Sequence, residues 1–393
     1  MDLDTLSFKE KEYLFNTYKR LNIQVERGEG CLLFTSSGRK ILDMFGGLAV
    51  NILGYNHPAI ISAIENQIRK YIHISNYFYQ ENQILLAEKI LELSGFKKTF
   101  FTNSGTEAAE AAIKIVRKHF KGTAKKELVS FTGSFHGRTM GALSLTSRKK
   151  YQDDFLPLLP HVKTSEYNSI VSLEKNLNEQ TAAVFIECIQ GEGGINLVQK
   201  DFVKKIAELK KQFGFLVIAD EIQSGVGRTG KLHAFEHFEL NPDLVLLAKG
   251  IGGGLPLGAV LGAESVADTL TPGSHGTTFG GNPVAAACGL AVFNELEKGL
   301  ITKAEINGKY LLSRLNGIKS KYPEKIYDVR GMGLMVGIEL KFEGQPVVEK
   351  LIAKNVLVNC TNTNVIRLLP PLIIENDEID LFLKKFDEVI SSI

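Results

Sequence analysis

The sequence predicts an α/β protein organised on an open parallel sheet, with its functional residues along one edge, and three stretches make that prediction. Phe215-Leu216-Val217-Ile218-Ala219 has the length and branched content of a buried strand and ends on Asp220. Leu244-Val245-Leu246-Leu247-Ala248 repeats the pattern and delivers Lys249, while Ala182-Ala183-Val184-Phe185-Ile186 closes on Glu187. In open α/β sheets ligands bind in the crevice outside the strands' C-terminal ends, so an acid and a lysine arriving there form a natural pair. Lys249 is followed by Gly250 and Gly252-Gly253-Gly254, backbone that bends tightly and admits a ligand closely.

With 393 residues and a hydrophobic fraction of 44%, the chain is long enough for two domains with a sizeable core. The net charge of +2 comes without a run of like charges, which argues against nucleic-acid and membrane-surface partners and leaves a small molecule as the default. Cys31, Cys188, Cys288 and Cys360 are widely spaced, as expected of reduced thiols. The acidic, polar start Met1-Asp2-Leu3-Asp4 lacks the basic and apolar regions of a signal peptide, and no segment approaches membrane-spanning length, so a cytoplasmic location is expected.

In chain order, residues 1–47 read as a leading segment with an amphipathic start (Leu14, Phe15, Tyr18) and hairpin punctuation at Arg27-Gly28-Glu29-Gly30 and Gly38-Arg39. Gly54-Tyr55-Asn56-His57-Pro58 leads into a helix with Ile60, Ile61, Ile64 and Ile68, and His57 before Pro58 suits a turn better than catalysis. Phe100-Phe101-Thr102 then runs into Asn103-Ser104-Gly105-Thr106-Glu107 and a helix presenting Ala108, Ala111, Ala112, Ile115 and Val116. Ser104, Gly105 and Thr106 read either as an ordinary N-cap or as a phosphate cradle at a helix N-terminus. Strand Leu128–Phe131 precedes Phe135-His136-Gly137-Arg138, where an aromatic can lie on a heteroaromatic ring and an arginine can fork onto a carboxylate.

Glu192 sits among Gly191, Gly193 and Gly194 in a loop after the third strand, which marks it as a site candidate. Gly225-Val226-Gly227-Arg228-Thr229-Gly230 matches a dinucleotide fingerprint in letters only, since no strand runs straight into it and no amphipathic helix follows. His233 and His237 have metal-like spacing without a third ligand, so structural roles are expected and no metal is predicted. Gly273 to Pro283 is a second glycine- and hydroxyl-rich loop, and the chain then changes texture toward helices, a strand at Leu334–Leu340, and a closing helix bearing Ile379, Phe382, Leu383, Phe386 and Ile390.

The chemistry that wants a strand-end Lys and a strand-end Asp is that of pyridoxal phosphate, in which the amine forms a Schiff base and the acid holds a proton on the ring nitrogen. Six ordered motifs now extend that reading: Asn103 to Ala108, Phe135 to Thr139, Gln190 to Gly194, Asp220 to Gly230, Lys249-Gly250, and Thr278 to Pro283. Together the chain resembles, nearly end to end, the class III (ω-amino acid) aminotransferases among the fold-type I pyridoxal phosphate enzymes. Gly46 to Asn51 and Val365 to Leu372 look most like those acting on acetylornithine, including those that take succinylornithine.

The resemblance implies a large domain over residues 48–283 with a mainly parallel seven-stranded sheet. It adds a smaller α/β domain over 284–393, with 1–47 packing against the latter. It implies that Lys249 carries pyridoxal 5'-phosphate, Asp220 meets the ring nitrogen, Gln223 the ring hydroxyl and Phe135 the ring face. Ser104, Gly105 and Thr106 would hold the phosphate, and Thr278 would complete the phosphate site of the other subunit in a homodimer with shared active sites. Thr277 and Arg138 would contact substrate, Arg367 would receive the α-carboxylate of glutamate or 2-oxoglutarate, and Glu192 would neutralise Arg367 when the ω-amine substrate is bound. Cys188 stands where the family usually has proline, and Leu21-Asn22-Ile23 lacks another proline common there. The implied reaction is transamination of an N-acyl-ornithine with 2-oxoglutarate in arginine metabolism. The alternatives are an ornithine, 4-aminobutyrate or lysine-pathway ω-aminotransferase, an aminomutase, or a non-catalytic regulatory relative.

Overall fold

A computed structural model describes residues 1–393. Its centre is a seven-stranded sheet in the order Lys98–Thr102, Gly258–Gly262, Leu244–Leu247, Leu216–Asp220, Thr181–Ile186, Glu127–Phe131, Val162–Ser165. Only Gly258–Gly262 runs against its neighbours; the other adjacent strands pair in parallel. Side-chain alternation explains why the strands read as unbroken apolar runs. Leu216, Ile218, Leu244 and Leu246 belong to the apolar cluster shared with helix Gly105–His119, whereas Val217, Ala219, Val245 and Leu247 join the larger cluster on the opposite face.

Glycines at both ends of Gly258–Gly262 lower its intrinsic strand preference, and the sequence reading passed over it. Its pairing with Lys98–Thr102 depends on the close approach that Gly258 permits, because a Cβ there would collide with Thr102 and Ser104. The strand inserts between Lys98–Thr102 and Leu244–Leu247, and so sets the lateral distance between the phosphate-cradle segment and Lys249.

A second sheet, ordered Ile326–Met332, Met335–Leu340, Val365–Leu368, Asn359–Thr361, forms the C-terminal unit. Helix Asn376–Ser391 closes it by burying Ile379, Phe382, Leu383, Phe386, Val389 and Ile390, each worth about 1.5–3 kcal/mol on removal from water. The leading segment supplies strands Val25–Glu29, Leu32–Thr35 and Lys40–Asp43, the last of which pairs in parallel with Val356–Leu357. Helix Pro283–Glu295 packs on helices Pro58–Ile68 and Glu81–Ser94 and on the Lys249 turn, all parts of the large unit. We therefore propose the domain boundary at the non-helical Gly299, beyond the expected residue 284.

The amphipathic start differs from expectation. The helix spans Leu3–Tyr13 and buries none of its residues, while Leu14, Phe15 and Tyr18 are also exposed, because no other part of the chain covers that face. No helix is long and apolar enough to cross a membrane.

Candidate active site

The C-terminal ends of the parallel strands open into a cavity of about 420 Å³ whose lining includes Ser104, Gly105, Thr106, Phe135, Arg138, Glu192, Asp220, Gln223 and Lys249. These nine sequence-predicted residues come from five separate segments, and the sheet's order alone gathers them.

Lys249 leaves strand Leu244–Leu247 into a tight turn with φ +51°, a left-handed conformation uncommon for a side-chain-bearing residue and one that marks functional positions. Burial, with Arg367 adding to it and the acids Glu192, Asp220 and Glu187 opposing it, lowers its amine to about 8. Asp220 is 4% exposed, with Oδ1 accepting the Ile222 amide at 3.1 Å and Oδ2 accepting His136 Nδ1 at 2.7 Å. Burial opposes charge on His136, yet the hydrogen bond and charge of Asp220 outweigh it and hold the imidazole above its ordinary range. The acid is thereby fixed in place beside the cavity.

Ser104 caps helix Gly105–His119, its hydroxyl accepting the Glu107 amide at 3.4 Å. Thr106 Oγ1 is also engaged internally, accepting the amides of Arg138 and Thr139 at 3.2 Å. The two readings of this segment therefore coexist: its hydroxyls brace the protein, and the Gly105 and Thr106 amides, which have no intrahelical acceptor, remain available for an anion. Gly105 is required by close approach, since a Cβ would lie 2.7 Å from Ile222 Cδ1.

Arg367 projects from strand Val365–Leu368, 1% exposed, and its Nη1 donates to Glu192 Oε1 at 2.5 Å and to Gln223 Oε1 at 3.2 Å. Burial would push the Glu192 carboxyl up, but Arg367 dominates and holds it below the usual carboxylate range. Cys188 does not displace this loop: its carbonyl accepts the Val198 amide at 2.9 Å, and Glu192 reaches Arg367. Arg138 is exposed at the cavity mouth, 3.8 Å over the Tyr151 ring and 5.6 Å from that of Phe135. Thr277 and Thr278 do not line the cavity; Thr277 Oγ1 accepts from Asn103 Nδ2 at 3.1 Å, and Thr278 is exposed.

His136 and Glu187 have no role expected from sequence. Glu187 accepts the amides of Phe135 at 3.0 Å and Gly191 at 3.2 Å, tying the aromatic wall to the Glu192 loop, and burial pushes its carboxyl up. Their strand-end positions were the only available signal. His233 is buried against Phe235, with burial lowering it to about 3, and His237 Nε2 meets Thr229 Oγ1 at 3.2 Å. The glycine-rich Gly225–Gly230 segment is turn structure, and Arg228 within it donates to the Leu334 and Pro370 carbonyls of the C-terminal unit.

A buried lysine of lowered basicity, a buried acid braced by a histidine beside it, free helix amides and an arginine masked by an acid together define a site for amino-group transfer. Residues 13–390 match the family described as Aminotransferase class-III, and the chain belongs to that family. It is 43% identical to the acetylornithine aminotransferase of Methanocaldococcus jannaschii over 98% of this chain and 97% of that protein. It is also 43% identical to the acetylornithine aminotransferase of Clostridium acetobutylicum, over 97% and 99%. The ornithine aminotransferase of Toxoplasma gondii superposes with a TM-score of 0.95 at 29% identity, covering 100% of this chain and 96% of that one. A further structure of the Toxoplasma gondii enzyme has pyridoxal 5'-phosphate at partial occupancy in its active site.

Class-III aminotransferases use pyridoxal 5'-phosphate. The residues here fit that group. A buried carboxylate held by His136 suits a protonated ring nitrogen, and unpaired first-turn amides at Gly105 and Thr106 suit a phosphate.

Proposed function

We propose that this aminotransferase exchanges the ω-amine of N2-acetylornithine, or N2-succinylornithine, with 2-oxoglutarate, giving the N-acylglutamate 5-semialdehyde and glutamate. The observation that carries this reading is the Arg367–Glu192 pair beside Lys249, with a second arginine, Arg138, at the mouth. An enzyme that accepts a distal amine in one half-reaction and an α-amino acid in the other must handle carboxylates at two positions, and two arginines do this. With Arg367 masked by Glu192, the acylated substrate anchors its carboxylate on Arg138 and presents the distal amine; with Arg367 unmasked, the 2-oxo acid's α-carboxylate binds there.

Pyridoxal 5'-phosphate, when bound, supplies the carbonyl that captures amines and the electron sink that acidifies the substrate carbon. The remaining work falls to the chain. Lys249 Nζ holds the group between turnovers and then moves the proton at the reacting carbon. Asp220 holds the ring-nitrogen proton, with His136 fixing the acid's position, and Gln223 meets the ring hydroxyl. Phe135 covers the ring face, and the Gly105 and Thr106 amides with Ser104 hold the phosphate.

A homodimer belongs to this reading. Ile72, Tyr77, Phe78, Tyr79 and Phe279 are all more than half exposed, and Asn76 Nδ2 ties their segments together by donating to the Thr277 carbonyl at 3.1 Å. An apolar patch rimmed by a hydroxyl-rich loop is the surface a second copy would cover, bringing Thr278 to the partner's phosphate and Thr277 to its substrate.

Holoenzyme mixed separately with N-acetylornithine, N-succinylornithine, free ornithine and 4-aminobutyrate tests the assignment through loss of the cofactor's visible band. Rapid loss with an acylated ornithine and recovery with 2-oxoglutarate are expected. Preference for an unacylated amine would transfer the assignment to another ω-aminotransferase. Sedimentation at twice the monomer mass is the companion result, and a monomer with full activity would refute the shared site.

A further inference from the structure

Glu192 is held at both ends. Its carboxylate lies on Arg367 at 2.5 Å, while its backbone carbonyl accepts the Thr361 hydroxyl at 2.7 Å and an Nη of Arg148. The Arg148 guanidinium makes no ion pair and no other hydrogen bond, so most of its donors are unused. Its side chain borders a polar cavity of about 1000 Å³ on the far side of the Gln190–Gly194 loop, which gives room for a side chain to turn. Lys150 and Arg330 border the same cavity; Arg330 is already committed to Glu339 at 2.6 Å, and Glu166 there pairs with neither Arg148 nor Lys150.

Transfer to a 2-oxo dicarboxylate requires Arg367, and Arg367 is 1% exposed with Glu192 upon it. The Glu192 charge must go elsewhere, and in a partly buried place it needs another cation. Three cations act on Glu192: Arg367, Lys249 and Arg148. The substrate takes the first and the cofactor the second. Arg148 is left, already at the Glu192 carbonyl, and Gly191 and Gly193 on either side let the residue turn without rebuilding the loop.

We propose that Arg148 is a specificity-determining residue for the 2-oxo-acid half-reaction, receiving the Glu192 carboxylate when it leaves Arg367 and so opening Arg367 to the incoming carboxylate. This rests on the proposed roles of Arg367 and Glu192, and goes beyond them in naming where the displaced charge goes.

The test uses the holoenzyme with Arg148→Met and runs the two half-reactions separately. The expected result is a fall of about tenfold in kcat/KM for 2-oxoglutarate, with the acylornithine half-reaction within about twofold of the parent. Calorimetry should find glutarate, an unreactive dicarboxylate, bound more weakly by a similar factor. Arg148→Lys should recover most of the loss. In a Glu192→Gln background no charge needs a second home, so Arg148→Met should have no further effect. Equal losses in both half-reactions would assign Arg148 only to bracing the loop through the Glu192 carbonyl, and no loss in either would place the displaced carboxylate elsewhere; both overturn the proposal. Arg367→Lys distinguishes the two levels of argument. If it weakens glutarate while Arg148→Met does not, only the present inference fails; if it too leaves glutarate binding unchanged, the role of Arg367 itself fails.

Discussion

Lys249 sets the pH at which this protein captures its cofactor. Burial lowers its amine from an ordinary 10.5 to about 8. At pH 7.5 about a quarter of the molecules then carry the neutral nucleophile, against roughly one in a thousand for an unperturbed lysine. Apo-protein mixed with pyridoxal 5'-phosphate across pH 6 to 10 should attach it covalently at a rate rising about tenfold per unit below pH 8 and levelling above it. Linkage gives an independent readout. Between the folded value of about 8 and the unfolded 10.5 the unfolded chain binds more protons, so stability of the apo-protein rises with pH through that window. The penalty is fully present below pH 8, amounts to about 3 kcal/mol, and vanishes above 10.5. Apo Lys249→Met should therefore melt higher than the parent at pH 7, and the gap should close by pH 10.5. A capture rate still climbing tenfold per unit between pH 9 and 10, with no melting gap at pH 7, would refute the desolvation argument.

Three further outcomes are expected. Arg367→Met removes the partner of the Glu192 carboxylate and should cost about 1–3 kcal/mol in denaturant unfolding, less than a stranded buried charge, because Arg148 stands ready to receive it. Because that carboxyl is held below its usual range, the gap should be full at neutral pH and close as pH falls through the lowered folded value. His136→Phe removes the 2.7 Å partner of Asp220 and should weaken cofactor retention in equilibrium dialysis by about tenfold or more; retention equal to the parent would deny the pair its role. Since the His136 imidazole is held above its ordinary range, its stabilising contribution should be complete at low pH and fade as pH rises through the raised value. Gly105→Val drives a side chain into Ile222 and should displace the first-turn amides, lowering cofactor affinity in a fluorescence titration while circular dichroism stays unchanged.

Much of the site was legible because its parts are local. Asp220 and Lys249 end apolar runs that the parallel sheet buries on both faces, and Ser104 begins an amphipathic helix, so each was found from a dozen neighbouring residues. The glycine-bracketed Gly258–Gly262 was missed because only pairing with two distant strands makes it extended. The apolar residues of the amphipathic start, Leu14, Phe15 and Tyr18, stay exposed and fall outside the helix Leu3–Tyr13, because nothing within the chain covers them.

By itself the sequence determined most of the segments that become strands and helices, Gly258–Gly262 excepted, since backbone preference and apolar spacing act over a few residues. It also carried the motifs that identify the family. Tertiary structure alone decided which side chains meet. Glu192 joins Arg367 across 175 positions, His136 joins Asp220 across 84, and Arg148 reaches the Glu192 carbonyl across 44. The physical reason is that a charge's energy depends on distance and surroundings in space, and sheet order, which brings Glu127–Phe131 and Leu216–Asp220 to either side of Thr181–Ile186, is a property of the whole packed chain.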